Sequence, residues 1–599
     1  MRIIQYTLIA FLLSCISGIS FAQEEMWDKT SSGKEPANIQ WFKDAKFGLF
    51  IHWGLYAQLG GTWNGKRYYG SGEWIMSQAK IPAAEYARAA ASFNPAGFDA
   101  NQWAELAKDA GVRYLVITAK HHEGFAMYDS KVSDFNIVQA TPYKHDPMKD
   151  LAEATRKRGI RFGFYYSQFL DWHEPNGGGN RWDFDESQKD YIKYYREKSI
   201  PQLRELMTNY GPLGVVWFDM PGGLTKEQTR QLVDSMRLLQ PQCLFSSRVG
   251  QGLGDYKDFG DSEIPPAPIA GAWESIYTHN DTWGYIAHDM NFKSSGEIIQ
   301  LLASVASRGG NLMLNVGPDG NGIIPAYSVK YLKETGKWLR ENGASIYGTA
   351  YGLIPSQPWG VTTSAATTAK GGKLFLHVFN RPLNGRLLLP GLSVTVRSVY
   401  ALADSKTMRW SRQGADLYVE IPADTLRHAD QVFVVEYDGV PAVYNADAPV
   451  IVSSQYNESR VEAVSGHPFG NAKVKSITYS HYYGDWKHAT CITGMKDPSD
   501  SVSFPIRITE PGDYRLILEY SCPALSSKQE GVLGFNGKEY LFQTLHTSEY
   551  DSHQPMLFIR QPIAITTVDT SGIFTLSIHP VRQGNELFKL KSVILEPVE

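Results

Sequence analysis

The chain has 599 residues, of which 43% are hydrophobic and 20% charged. That balance excludes wholesale disorder, and at roughly 100–200 residues per domain the length suggests three or four domains. Lys and Arg total 58 against 62 Asp and Glu, a net charge of −4, so there is no electrostatic footprint for nucleic acid or an anionic membrane. Four cysteines exclude a disulfide-dense scaffold and a multi-zinc-finger protein. Aromatic residues reach 13%, with 33 Tyr, 27 Phe and 15 Trp. Such rings fill cores, and they also make flat apolar platforms for ligands such as sugars.

The first element is an address. Met1-Arg2 is basic, residues 3–19 are mostly apolar, and Ser20-Phe21-Ala22 places small residues before a cleavage point. This is the pattern of a secretory signal peptide over residues 1–22. Ser14, Ser17, Gly18 and Ser20 dilute the segment and leave it too short to span a bilayer. Leu12-Leu13-Ser14-Cys15 allows an alternative, a lipid anchor through Cys15. No later run reaches 18 apolar residues, so an exported protein without a transmembrane segment is expected, periplasmic or extracellular.

From residue 28 to about 347, short apolar runs alternate with helical patterns. Phe47-Gly48-Leu49-Phe50-Ile51-His52 comes first, then a helix over 100–110 with Trp103, Leu106, Ala107 and Ala110 on one face. Runs follow at 114–118, 160–166, 214–219, 243–247 and 311–316. Helices are expected around 148–158, 187–210, 226–239, 294–307 and 326–342. Continuous apolar runs separated by amphipathic helices indicate buried parallel strands. No dinucleotide-type glycine fingerprint follows the first strand, which favours a (β/α)8-like barrel, regular or irregular, over a doubly wound sheet. The class is α/β, with the barrel over 23–348 followed by two all-β domains.

After Gly348 the helical patterns largely stop. Runs at 373–379, 394–401, 417–421 and 431–437, with turn residues in many of the intervals, predict a small antiparallel β domain over 349–445. The alternating segment 512–520 and closing runs near 574–579 and 590–596 predict a β-sandwich over 446–599. Cys243 lies in an apolar run and reads as a buried thiol. Cys491 and Cys522 could pair in an oxidising compartment, a point left open.

In barrel enzymes catalytic residues sit at the carboxyl ends of strands. Those positions collect His52 with Trp53, then Lys120-His121-His122-Glu123-Gly124, Tyr165-Tyr166, Asp219, Arg248, and Glu274 after Gly271-Ala272-Trp273. Imidazoles, an Arg, carboxylates and rings on one face suit a neutral polyhydroxylated ligand. Trp53, Trp74, Tyr165 and Trp217 are expected to cluster where it sits. Asp219 ends the run Val215-Val216-Trp217-Phe218 and reads equally as a turn or cap residue. A catalytic role needs a second carboxyl, since glycoside hydrolysis uses two. Glu274 is a candidate, although alone it reads better as a loop residue. His121-His122-Glu123 invites a metal reading. Neighbours on an extended segment point to opposite sides, and the i, i+4 zinc pattern is absent, so no metal is expected. Gly309-Gly310 lacks a Walker Lys-Ser/Thr, and no Gly-x-Ser-x-Gly elbow occurs.

With these residues assembled, residues 27–440 resemble the α-L-fucosidases of glycoside hydrolase family 29. The resemblance rests on Trp41-Phe42 with Lys46-Phe47-Gly48-Leu49-Phe50-Ile51-His52-Trp53-Gly54, on Glu73-Trp74, and on Ala119-Lys120-His121-His122-Glu123-Gly124-Phe125. Gly163-Phe164-Tyr165-Tyr166-Ser167, Trp217-Phe218-Asp219, Trp273-Glu274, Trp283-Gly284-Tyr285 and Gly309-Gly310-Asn311 through Leu314-Asn315-Val316-Gly317-Pro318 complete it. The last 150 or so residues resemble, more loosely, the sandwich carbohydrate-binding modules appended to glycosidases, with Tyr479, Tyr482, Tyr483 and Trp486 as either platform or core.

The resemblance implies an exo-acting retaining α-L-fucosidase without cofactor, acting on fucosylated oligosaccharides or glycoconjugates. Asp219 matches the nucleophile. His52, Glu73, Trp74, His121, His122, Tyr165, Trp217 and Arg248 match fucose-binding positions. Glu274 matches the Trp-Glu motif where many members carry the acid/base, with Glu263 and Asp261 as rivals. Met220-Pro221 stands where many relatives have Gly. A glycosidase for a related sugar such as an α-L-galactoside, and a non-catalytic glycan-binding protein, are the alternatives.

Overall fold

Eight parallel strands make the floor on which the rest is placed: β1 (Phe47–Ile51), β2 (Tyr114–Lys120), β3 (Arg161–Ser167), β4 (Val215–Asp219), β5 (Leu244–Phe245), β6 (Lys257–Asp258), β7 (Trp273–Thr278) and β8 (Asn311–Val316). The structure is a computed structural model and describes residues 35–368, 370–422, 429–442, 444–479, 486–549 and 556–598. The leader and Tyr482 and Tyr483 lie outside them. Among the described residues no helix is long and apolar enough to cross a membrane.

The ladder runs β5-β4-β3-β2-β1-β8-β7-β6. Its two ends, β5 and β6, meet only at a single parallel bridge, Ser246 to Tyr256. The barrel is therefore curled but open there. A parallel crossover needs about a dozen residues and usually a helix, whereas residues 246–256 hold only the 3-10 turn Ser247–Val249. That short link keeps both end strands to two residues.

The expected helices form with local reasons. Ala100–Asp109 is capped by the Asp99 carboxylate, Pro147–Lys157 by Asp146 with proline in its first turn, and Lys226–Leu239 and Ser295–Ala306 by capping boxes at Thr225/Gln228 and Ser294/Glu297. The single helix expected over 187–210 is instead Tyr191–Tyr194, a π-turn at Tyr195–Ser199, and Ile200–Asn209. Pro201 has no N–H for the Glu197 carbonyl, so the pattern slips and Ile200 N–H bonds Tyr195 O, five residues back.

The strand around Glu274 differs from the expectation. β7 does not end at Glu274 but continues through Ser275-Ile276-Tyr277-Thr278. Its polar residues hid the apolar continuity, and Glu274 becomes the second residue of the strand rather than its carboxyl end.

Two all-β units follow. In the first, a five-stranded sheet contains Gly360–Thr368, Gly371–Val378, Gln431–Asp438 and Thr395–Ala401. Val361, Phe375, Val432 and Val434 on one face join the barrel core, while Leu374, Leu376, Phe433 and Val435 face a core of their own. Burial on both faces explains why these strands read as unbroken apolar runs. In the second, two six-stranded sheets enclose a separate core of Phe504, Leu516, Leu518, Leu576, Ile578 and Val593. Among the described residues, its edge strand Lys473–Tyr479 pairs only with Lys487–Thr493. Cys243, Cys491 and Cys522 are all buried free thiols. No Cys491–Cys522 disulfide is formed.

Charges are buried beneath the barrel mouth. Lys120, the last residue of β2, lies 3.2 Å from Asp171 and donates to Tyr194 Oη at 2.7 Å, and Lys198 reaches the same carboxylate at 3.0 Å. Burial alone would raise the Asp171 carboxyl, but the two ammonium groups hold it well below the usual range. Removing one partner of a buried pair strands the other charge. We expect Asp171→Asn to destabilise the barrel by about 3–5 kcal/mol, read as a lower denaturant midpoint. An unchanged midpoint would show that the network carries no structural load.

Candidate active site

The carboxyl ends of the strands surround a cavity of about 410 Å³. Asp219, the last residue of β4, is 8% exposed at its wall. Tyr165, from β3, donates its hydroxyl to Asp219 Oδ2 at 2.7 Å. Arg248, in the turn after β5, donates from Nη1 to Asp219 Oδ1 at 3.3 Å and from Nη2 to Asp261 Oδ1 at 2.6 Å. One guanidinium thus holds two carboxylates at one pocket. Burial would lower the Arg248 value, but Asp261, Asp219 and Asp258 outweigh it and keep the group charged. Its plane lies 4.7 Å over the Trp217 ring, which stacks on Tyr165.

The histidines are neutral acceptors, and the tautomers follow from their partners. Asn315 donates its amide N–H to Trp283 O at 2.7 Å, so its Oδ1 faces His52 Nδ1, also at 2.7 Å. Nδ1 must therefore carry the proton, leaving His52 Nε2 bare. Burial holds this imidazole down to about 4, against the Asn315 bond. Ser167 donates to Leu170 O and so accepts from His122 Nδ1 at 2.7 Å. His122 Nε2 then faces Asp219 Oδ2 at 3.7 Å, with both atoms able to receive a hydroxyl proton. Burial, then the neighbouring Lys120 charge, keeps His122 neutral. His121 stacks on Tyr165 and has a buried Nδ1 with no partner among the described residues.

The two histidines do not point apart as an extended segment requires. Residues 121–124 turn, closed by Gly124 N–H to His121 O, and both rings face the pocket with centroids 4.0 Å apart. Gly124 has φ +81°, and a Cβ there would collide with Asp171. Glu123, on the far side of the turn, accepts from Leu55 and Tyr56 N–H and from Tyr86 Oη. Donor atoms of His121, His122 and Asp219 lie within 4.8 Å of one another.

Glu73 and Trp74 enter from the 3-10 turn Gly72–Trp74. Glu73 is buried, accepts from Gly284 N–H at 2.7 Å, and burial raises its carboxyl to about 7. Trp74 packs edge-on against His122 and Trp172. His52, Glu73, Trp74, His121, His122, Tyr165, Trp217, Asp219 and Arg248 all line the cavity.

Glu274 does not line it. Its carboxyl is fully buried in the barrel interior, where it accepts from Trp217 Nε1 at 3.0 Å and from Tyr114 Oη. Burial and the Asp258 charge raise it, opposed by those two bonds. It is neither a loop residue nor at a strand's carboxyl end. Of its rivals, Asp261 lines the cavity, while Glu263 accepts from Gly260 N–H and from Ser476 Oγ, both at 2.7 Å.

Trp53 also falls elsewhere. It is fully buried in the core, stacked on Phe98 with Nε1 donated to Asp319 O. An apolar wall of Phe50, Ile276 and Trp283 was missed by sequence reasoning, although Phe50 and Trp283 lie in motifs that carry the family resemblance. Thr478, Trp486 and His488 were missed as pocket residues because they come from the sandwich. Met220 lines the rim at φ 50°, a left-handed conformation that costs a side-chain-bearing residue more than it would glycine.

Paired carboxylates at the carboxyl-terminal mouth of a parallel barrel, with neutral acceptors and aromatic walls around them, define a glycoside hydrolase. Comparison with known proteins narrows this. The α-L-fucosidase family model matches residues 14–344. Plasma α-L-fucosidase of Rattus norvegicus is 31% identical over 69% of this chain and 93% of its own length. The crystal structure of the α-L-fucosidase from Vibrio sp. strain EJY3 is 30% identical with a TM-score of 0.76, covering 94% of this chain and 99% of that one. Isoenzyme 1 from Paenibacillus thiaminolyticus is 33% identical with a TM-score of 0.61, covering 67% and 99%. The chain belongs to the α-L-fucosidase family and is a glycosidase that releases fucose.

Glu73 gives the pocket an ionisation near neutrality. Its carboxyl is raised in the fold, so the stability it contributes is full at acid pH and is lost as pH rises through about 7. Glu73→Gln keeps an acceptor for Gly284 and a neutral donor. We expect wild type to lose melting temperature relative to this variant as pH rises through about 7, and the corresponding ionisation to vanish from the kcat/KM profile. An unchanged profile would assign that ionisation to another group.

Proposed function

We propose that this fucosidase is exo-acting and retaining, with Asp219 as nucleophile and Asp261 as acid/base. The observation that carries the reading is Arg248, which grips both carboxylates at the wall of one cavity. Asp219 attacks the anomeric carbon while Asp261 gives its proton to the leaving oxygen. Asp261 then takes a proton from the water that breaks the fucosyl-enzyme bond. The Tyr165 hydroxyl and the Arg248 guanidinium each hold one oxygen of the nucleophile in place. His52 and His122 offer bare Nε2 atoms to sugar hydroxyls.

Glu274 is assigned a positioning role instead of the acid/base role implied by the family resemblance. Both of its oxygens are engaged away from the cavity, one of them by the Trp217 indole that walls it. The apolar wall of Phe50, Ile276 and Trp283 favours fucose over an α-L-galactoside, because the hydroxyl that galactose carries on the carbon of the fucose methyl would be buried there without a partner. A purely glycan-binding role would need neither carboxylate. The leader-like residues 1–22 favour action outside the cytoplasm.

We expect Asp219→Asn to abolish turnover while the fold survives. Asp261→Asn should lose roughly 10²–10⁴-fold on natural fucosides, keep near-normal rates on activated aryl fucosides, and be rescued by azide. Glu274→Gln should show a smaller loss, equal on both substrate types. If Glu274→Gln instead shows the leaving-group dependence and Asp261→Asn does not, the assignment reverses.

A further inference from the structure

Three residues at the pocket belong to the C-terminal sandwich. Thr478, Trp486 and His488 lie on or beside its edge hairpin, whose strands Lys473–Tyr479 and Lys487–Thr493 place Thr478 opposite His488. The hairpin reaches the turn that carries Asp261. His488 Nδ1 lies 2.7 Å from the main-chain O of Asp261. A carbonyl only accepts, so Nδ1 carries a proton, and Nε2 lies 3.0 Å from Thr478 Oγ1 and 3.9 Å from Glu263 Oε2. Ser476 donates to Glu263 Oε1, whose other oxygen takes the Gly260 N–H. The His488 ring packs so closely on Gly260 that a Cβ there would collide with it. Within this turn Ser262 sits at φ 55°, a costly conformation for serine that persists where its surroundings hold it. Farther along, Trp486 meets Trp74 edge-on, with ring centroids 5.5 Å apart.

We propose that this hairpin is a built-in part of the active site. His488 is a positioning residue that fixes the Asp261 carboxyl through the main chain of residues 260–263. The sandwich then serves catalysis directly, unlike a separable glycan-binding module, whose loss leaves the chemistry intact. The inference rests on Asp261 as the acid/base. An acid must stand within hydrogen-bond reach of the leaving oxygen, and a displacement of about 1 Å can cost about 10²-fold. The barrel holds one side of the turn, through Ser262 N–H to Ile276 O, Ser275 Oγ to Glu263 O and Arg248 to Asp261, and the His488 and Ser476 bonds hold the other.

The test uses full-length variants and two fucosides, a 4-methoxyphenyl fucoside that needs protonation of its leaving group and a 2,4-dinitrophenyl fucoside that does not. His488→Ala should lose about tenfold or more in kcat/KM on the first and little on the second, with an unchanged melting curve. His488→Asn, whose side-chain amide can donate to Asp261 O, should recover most of the loss. If His488→Ala is unstable, Ser476→Ala removes one hydroxyl and should show the same selectivity in smaller degree. Equal losses on both substrates, or none on either, would overturn the proposal. Asp261→Asn is measured alongside. If it shows the leaving-group dependence and the His488 variants do not, only the hairpin's role falls. If Asp261→Asn lacks it, the acid/base assignment falls and this inference with it.

Discussion

A carboxylate at the end of a buried apolar strand is the constraint around which this molecule is arranged. Asp219 is costly where it stands unless its charge is answered. The answer is a guanidinium and a phenol, Arg248 and Tyr165, each delivered by a neighbouring part of the barrel. Arg248 comes from the short link between β5 and β6, so the gap in the barrel is also the place that supplies the cation. The same guanidinium reaches Asp261, which ties the spacing of the two carboxyls to one rigid planar group.

Polar groups under the pocket hold the walls in position. Asn315 fixes the His52 tautomer, and Ser167 fixes that of His122. Glu123 and Lys120 flank the turn that swings both histidines to one side. Glu274 holds the Trp217 indole from below. Each is a buried polar or charged residue that would be expensive without its partner, and each has one, so the pocket is organised before any sugar enters.

Much of this was legible in the chain. Strands buried on both faces appear as unbroken apolar runs, and the capped helices between them carry local signals such as Thr225 with Gln228. Asp219, Arg248 and the histidines could be placed because they follow such runs. The register of Glu274 could not, because β7 mixes Ser, Tyr and Thr with apolar residues and a two-sided strand has no alternation to mark its end. The turn at 121–124 depends on Gly124 facing Asp171, a contact between separate segments. Thr478, Trp486 and His488 lie more than 200 residues from the strand ends they complete. Only the packing of the sandwich against the barrel brings them there, and no local pattern records it.

The claim on which all of this turns is that Asp219 becomes covalently bonded to the sugar. Brief reaction with 2-deoxy-2-fluoro-α-L-fucosyl fluoride, followed by peptide mapping by mass spectrometry, tests it most directly. The account predicts a stable fluorofucosyl adduct on Asp219, with inactivation in step with its formation. An adduct on Asp261, Glu73 or Glu274, or turnover through an inverted product with no adduct, would contradict it.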